Sequence, residues 1–248
     1  IVPGAVFTGK ADGGNTIGSS LVSTLELGTG TTTGTLSGLN SNYIAFQDVT
    51  VDTGAVWHLD ASSTIAAGQT LTNNGTITDP VTLGASSTLT NAATGLIIAG
   101  SAISVVSTGP NVSIVNAGML GSNPNAQAAA AISLSAGGQV TNLSSYQTIG
   151  GYSGIIIQGA PGTVINDGEI WANGHAGVGV DLRAGGLVVS RDGILGGAYG
   201  ILGSNGAVTV ANYGAINQRG EGGIQPVAAQ QVRSEERRVG KECSLPCR

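Results

Sequence analysis

The chain has 248 residues, 42 of them Gly and only nine aromatic (Trp 2, Tyr 5, Phe 2), with 41 % hydrophobic residues and a formal net charge of −5. Glycine without a three-residue period excludes collagen, the apolar content excludes a typical disordered chain, and few Phe and Met beside abundant Val, Ile, Thr, Ser and Asn exclude an all-helical protein. The acidic balance and the lack of any basic stripe exclude a nucleic-acid binder that neutralises phosphates, and so few aromatics suit a thin interior better than a thick one.

In chain order, the opening IVPGAVFTGK has no basic n-region and no cleavable apolar run, so no signal peptide is expected in it, and a chain beginning at Ile1 is expected to be a fragment or a mature product. Residues 1–42 hold the least regular pattern. From position 43 onward short runs of alternating apolar and polar residues follow one another, punctuated by Gly and Asn, which is the signature of half-buried strands separated by sharp corners. The longest apolar runs, such as 154–157 and 128–131, fall far short of the roughly 20 residues a membrane-spanning helix needs.

One pattern returns through the body: apolar, any residue, Asn, any residue, Gly, any residue, apolar. It reads LTNNGTI at 71–77, IVNAGML at 114–120, VINDGEI at 164–170 and VANYGAI at 210–216, with looser copies from 89, 140 and 188. Its Asn positions are Asn73, Asn91, Asn116, Asn142, Asn166 and Asn212, with Ser190 filling the gap, and the successive spacings are 18, 25, 26, 24, 24 and 22 residues. A second block precedes the later copies and starts at Gly154, Gly177 and Gly200, each 23 residues apart. A repeat of this length built from short strands and corners predicts a right-handed parallel β-helix (β-solenoid) of about ten coils of roughly 18–26 residues, each stacked on the one before. The asparagines are expected to form an internal structural ladder, each amide bonding to the coils above and below.

At Arg233 the composition breaks. The last sixteen residues, RSEERRVGKECSLPCR, contain both cysteines (Cys243 and Cys247), five of the nine basic residues and three of the fourteen acids. The stretch 233–243, RSEERRVGKEC, resembles the conceptual translation of a short-read sequencing adapter, so 233–248 is set aside as a disordered artefactual tail, against the alternative of a genuine charged tail. The body, 1–232, then holds four basic residues (Lys10, Arg183, Arg191, Arg219) against eleven acids, a net charge of −7, and no cysteine. Disulfide scaffolds, thiolate metal sites and thiol catalysis drop out with the tail.

The segment 43–78, YIAFQDVTVDTGAVWHLDASSTIAAGQTLTNNGTIT, together with the Asn-x-Gly coils, resembles the passenger regions of bacterial autotransporter proteins and related surface β-repeat adhesins over about 20–232. That resemblance implies a non-enzymatic passenger acting in adhesion or as a stalk, on the outer-membrane surface of a Gram-negative bacterium or secreted from it. Host or matrix glycans or proteins would be its partners, with no nucleic acid, no cofactor, and no membrane contact except through a C-terminal barrel outside this sequence.

Candidate chemistry is sparse. GVGVDL at 177–182 resembles one nonapeptide of a calcium-binding β-roll, but the stretch 186–190 carries no Asp, so Asp181 reads as an outward residue on an ordinary strand. The enzymatic rival is a pectate-lyase-like carbohydrate-active β-helix, which needs carboxylates in register on neighbouring coils. Superposing the copies puts Asp167, Arg191 and Tyr213 in one row, which reads as an exposed ion pair, and Gln158, Asp181 and Ser204 in another. His58 and His175 fall in different coils with no third metal ligand nearby. Trp57 is expected to cover the apolar end of a coil. Trp171 is expected to pack in the core or a corner, with an exposed sugar-stacking platform as the alternative. The threonine run TGTTTGT at 29–35 resembles the flat arrays of ice-binding solenoids, but it does not recur coil by coil.

Overall fold

Short strands rich in Val, Ile, Leu and Thr, broken every few residues by Gly and Asn, cannot build a helix or a wide flat sheet, and they wind instead into a coil with three walls. The computed structural model describes residues 1–100, 102–122, 130–143, 148–218, 224–226 and 232–233, of which 148, 218, 224–226 and 232–233 are described by their backbone alone. Its strands form three long sheets of ten, nine and eight strands, here called faces I, II and III, and a small two-stranded sheet. Every pairing is parallel, as it must be when each strand is met again one turn later travelling the same way. One turn runs Gly162–Asn166 on face I, Glu169–Ala172 on face II and Val178–Leu182 on face III.

The chain is thus a parallel β-solenoid. Among the described residues it has eight complete three-walled turns, slightly fewer than the expected ten coils. An incomplete turn, Thr24–Leu27 and Gly34–Leu36, precedes them, and the rung Val232–Arg233 follows. The stack therefore begins inside the region read as least regular, where Ala11–Asp12 pairs with Tyr43–Ile44 beside it. With a strand separation of about 4.8 Å, the ten rungs of face I span roughly 43 Å. The tail beyond Arg233 lies outside the described residues.

Strict alternation fills the interior. On face I, Leu71, Leu89, Ile114, Val140, Val164 and Val188 stack above one another with no exposure, and Ile77, Ile97, Leu120, Ile149 and Ile170 do the same on face II. Each such side chain contributes roughly 1.5–3 kcal/mol by leaving water, so columns of modest aliphatics replace the aromatic core the composition lacks. Trp57 is the exception in size. It sits within the core at 2 % exposure rather than over a coil end, its indole N–H donates to the Gly28 carbonyl at 3.0 Å, and its ring lies where a Cβ on Gly34 would come within 2.6 Å.

Two registers differ from the sequence reading. The pairs Val178↔Tyr199 and Val180↔Ile201, with Ile155↔Val180, bring Gly179 and not Gly177 between Gly154 and Gly200. The two extra residues are absorbed in the connection after Ala172, so equal 23-residue spacing gave a false superposition. The same slip displaces the second row: Gln158 lies beside Arg183 and Ser204, while Asp181 pairs with Ile156 and Leu202.

Candidate functional site

Three features of the solenoid carry its polar chemistry: the asparagine corner between faces I and II, the charged groups at that corner and along faces II and III, and the outer surface of face I.

At the asparagine corner the last inward residue of each face I strand turns its carboxamide along the rod. Asn73 Nδ2 donates to Asn91 Oδ1 at 2.8 Å, Asn91 to Asn116 at 2.9 Å, Asn116 to Asn142 at 2.8 Å and Asn142 to Asn166 at 3.0 Å. All five side chains are fully buried. The amide's remaining proton satisfies backbone carbonyls that the corner would orphan, those of Leu96, Met119, Gly118, Glu169 and Gly193. The glycine two residues on is required by crowding. A Cβ on Gly118 would sit 2.2 Å from the Gly95 carbonyl oxygen and 2.7 Å from the Asn91 amide nitrogen.

The ladder has a direction and two ends. Its first acceptor, Asn73 Oδ1, is buried without a partner, because the rung below presents Val51. At the other end Asn166 donates to Ser190 Oγ at 3.4 Å, and Ser190 commits its one hydroxyl proton to the Asp192 carbonyl. Asn212 pairs with Ser190 in backbone register but is half-buried, and its Oδ1 accepts from the Gly214 N–H instead. The chain of bonds therefore runs Asn73 to Ser190, with Asn212 outside it.

Among the charged groups, Arg191 Nη1 donates to Asp167 Oδ1 at 2.8 Å on the row predicted from sequence, with Tyr213 next in line. The Asp167 carboxylate raises the Arg191 pKa above its ordinary value, first through that hydrogen bond. Asp181 departs from expectation. It occupies an outward position of the alternation, yet it is only 4 % exposed, with Ile156 and Leu202 on either side; Arg183 Nε donates to its Oδ2 at 2.8 Å, and its Oδ1 has no partner. Arg183 also reaches Gln158 Oε1 at 3.2 Å.

His58 does have neighbours that spacing did not reveal: its Nδ1 lies 3.0 Å from Asp79 Oδ2 and 2.6 Å from Thr78 Oγ1, one coil on. Beside this pair an open groove of about 450 Å³ is lined by Leu59, Asp60, Ala61, Asp79, Pro80 and Thr82. Asp60 is held below the usual aspartate pKa, chiefly by the hydroxyls of Ser37 and Ser62. His175 sits exposed in the turn after Ala172, and among the described residues no group of three or more His, Cys, Asp and Glu side chains could hold a metal ion. Trp171 lies outward on face II at 39 % exposure, not in the core or a corner, with Gly150 and Leu195 as its in-register neighbours.

The feature sequence reasoning missed is the outer surface of face I. Its outward positions fall into two rows in register along the rod. One row runs Asp48, Thr70, Thr88 and Ser113; the other runs Glu26, Thr50, Thr72, Thr90 and Val115. The signal lay in the TLTN of 70–73 and 88–91, where threonine alternates with the buried leucine. Among the described residues no helix is long and apolar enough to cross a membrane. Compared with known proteins, the chain matches no family model, no curated protein and no solved structure.

Proposed function

We propose that this chain is the rod of a bacterial surface or secreted protein of the autotransporter-passenger type, a non-enzymatic stalk that holds adhesive surfaces away from the cell. The observation that carries the reading is the parallel stack of eight turns among the described residues, with an internal carboxamide ladder running from Asn73 to Asn166. Such a stack resists bending and grows by adding coils, with each coil needing only its neighbours. The repeated coils, the absence of cysteine from the body and the resemblance of 43–78 to passenger sequences support the same role. The charged groups described above fit it as well: Arg191 with Asp167 and Arg183 with Asp181 link successive coils or neighbouring residues, which is structural work.

The test is to express the complete gene in a Gram-negative host and treat intact cells with protease. Release of the solenoid from the cell surface supports the reading, and a solenoid that stays protected inside intact cells overturns it. Adhesion is assayed separately by binding of the released rod to immobilised glycans and matrix proteins. Release of reducing ends from those glycans would favour the carbohydrate-active alternative.

A further inference from the structure

An asparagine followed by glycine is a chemically weak step in a polypeptide, because the glycine nitrogen, with no Cβ beside it to block approach, can attack the asparagine carboxamide within its own chain. The sequence holds three such steps: Asn74–Gly75, Asn173–Gly174 and Asn205–Gly206. The solenoid treats them differently.

Asn74–Gly75 is locked into the corner between faces I and II. The Asn74 N–H donates to the Val51 carbonyl at 2.9 Å, the Asn74 carbonyl accepts from Thr94 Oγ1 at 2.8 Å, and Gly75 is buried where a Cβ would come 2.4 Å from the carbonyl oxygens of Asp52 and Ala55. At Asn173–Gly174 the attacking atom is itself committed: the Gly174 N–H donates to the Tyr152 carbonyl at 3.1 Å, and Gly174 is buried against the Tyr152 ring. Asn205–Gly206 lies in the connection from face III to face I, between Tyr199–Gly203 and Val208–Asn212. Backbone bonding to the preceding coil stops at the Ser204 N–H and resumes at the Ala207 carbonyl. Asn205 is exposed, with a positive φ of 55° that asparagine tolerates, and among the described residues neither its carboxamide nor the Gly206 N–H has a hydrogen-bond partner.

We propose that Asn205 is a site of self-modification, at which the chain converts asparagine to aspartate and isoaspartate without an enzyme. The Gly206 nitrogen bonds to Asn205 Cγ, the Cγ–Nδ2 bond breaks, and the proton of the attacking nitrogen leaves with the carboxamide nitrogen as ammonia, closing a five-membered succinimide. Solvent water then opens the ring. Cleavage at Cγ gives aspartate; cleavage at the backbone carbonyl carbon gives isoaspartate, in which the chain runs on through Cγ and gains a methylene. Either product adds a negative charge to a chain that is already acidic. The longer isoaspartyl link has no room to settle, since a Cβ on Gly206 would already sit 2.4 Å from the Ala184 carbonyl oxygen, and so it strains the entry to Val208–Asn212. The inference does not depend on the stalk reading and could fail while that role stands.

The experiment incubates the folded 248-residue chain in mildly alkaline buffer and maps asparagine conversion by peptide mass spectrometry, with isoaspartate detected by enzymatic carboxyl methylation. Conversion at Asn205 is expected to run at least about tenfold faster than at Asn173, where the hydrogen bond on the Gly174 nitrogen must first break, and faster than at Asn74. In urea the three steps should convert at comparable rates. Asn205→Gln should remove the fast conversion and keep the strand-type circular dichroism of the parent. The proposal is overturned by conversion in the folded chain that comes first at Asn74 or Asn173, or by no conversion at Asn205. An Asn205 lead that persists unchanged in urea also overturns it, by placing the preference in the local sequence and not in the fold.

Discussion

The solenoid turns its two main corners in opposite ways. Between faces I and II the corner is polar: five buried asparagines hydrogen-bond from rung to rung and feed the carbonyls that the bend exposes. Between faces II and III the later coils leave the corner bare: Gly154, Gly179 and Gly200 follow one another in register, and at the first two a side chain would collide, whereas the rung before them seats Ala131. A Cβ on Gly154 would lie 2.4 Å from the Gly179 carbonyl oxygen and 2.6 Å from Ile170 Cγ2, and one on Gly179 would meet Gly200 and Ile194 in the same way. One corner is held by bonds that must be made, the other by space that must be left empty. Sharp bends in a coil this thin thus have two solutions, and each should fail in its own manner.

The largest effect is expected at the centre of the polar corner. Asn116→Ala removes its bonds to Asn91 and Asn142 and to the Gly118 carbonyl, leaves buried polar groups unpaired and opens a small cavity, for a loss of roughly 3 kcal/mol. A lower midpoint in urea unfolding would record it. At the bare corner, Gly179→Ala forces a methyl against backbone and should cost about 2 kcal/mol, the range of overpacking. The same substitution at Gly193, with nothing within 4 Å, should leave the midpoint almost unmoved.

Smaller effects sharpen the comparison. Arg183→Met leaves the buried Asp181 carboxylate without its donor and should cost about 1 kcal/mol, reduced by the exposure of the arginine. Asp181→Leu, between Ile156 and Leu202, should be neutral or stabilising. At the ladder's first rung Asn73→Val gives up two bonds, to Asn91 and to the Leu96 carbonyl, but also removes the orphaned Oδ1, so it should cost about 1 kcal/mol, below the same change at Asn116.

The smallest effect is a pH dependence at Asp60, whose native pKa is depressed by Ser37 and Ser62. A depressed carboxylate contributes stability above its unfolded pKa of about 3.9 and loses it as pH falls through the lower native value. The difference in melting temperature between the parent chain and Asp60→Asn should therefore be constant near neutrality and shrink only below about pH 4.

Comparing the corners also explains what could be read from the residues alone. Asn73 to Asn166 were legible because a hydrogen-bonded corner tolerates almost no other side chain, so the residue marks its own register even as the spacing drifts between 18 and 26 residues. The glycine corner was legible only as composition. Gly177 and Gly179 look alike in a sequence, and the choice between them depends on how many residues the preceding connection absorbs. Asp181 was misjudged because alternation tells which way a side chain points and not what its neighbours leave uncovered. The hydroxyl rows of face I were hidden for a related reason: they exist only once Thr72 and Thr90, 18 residues apart, are placed side by side.

The ladder is the central claim, and the side-chain amide protons report on it directly. Hydrogen exchange of the Asn carboxamides, followed by NMR on the folded chain, should show slow exchange at Asn91, Asn116, Asn142 and Asn166 and fast exchange at Asn212, whose carboxamide lies outside the chain of bonds. Carboxamide protons of Asn116 that exchange as fast as those of Asn212 would contradict it.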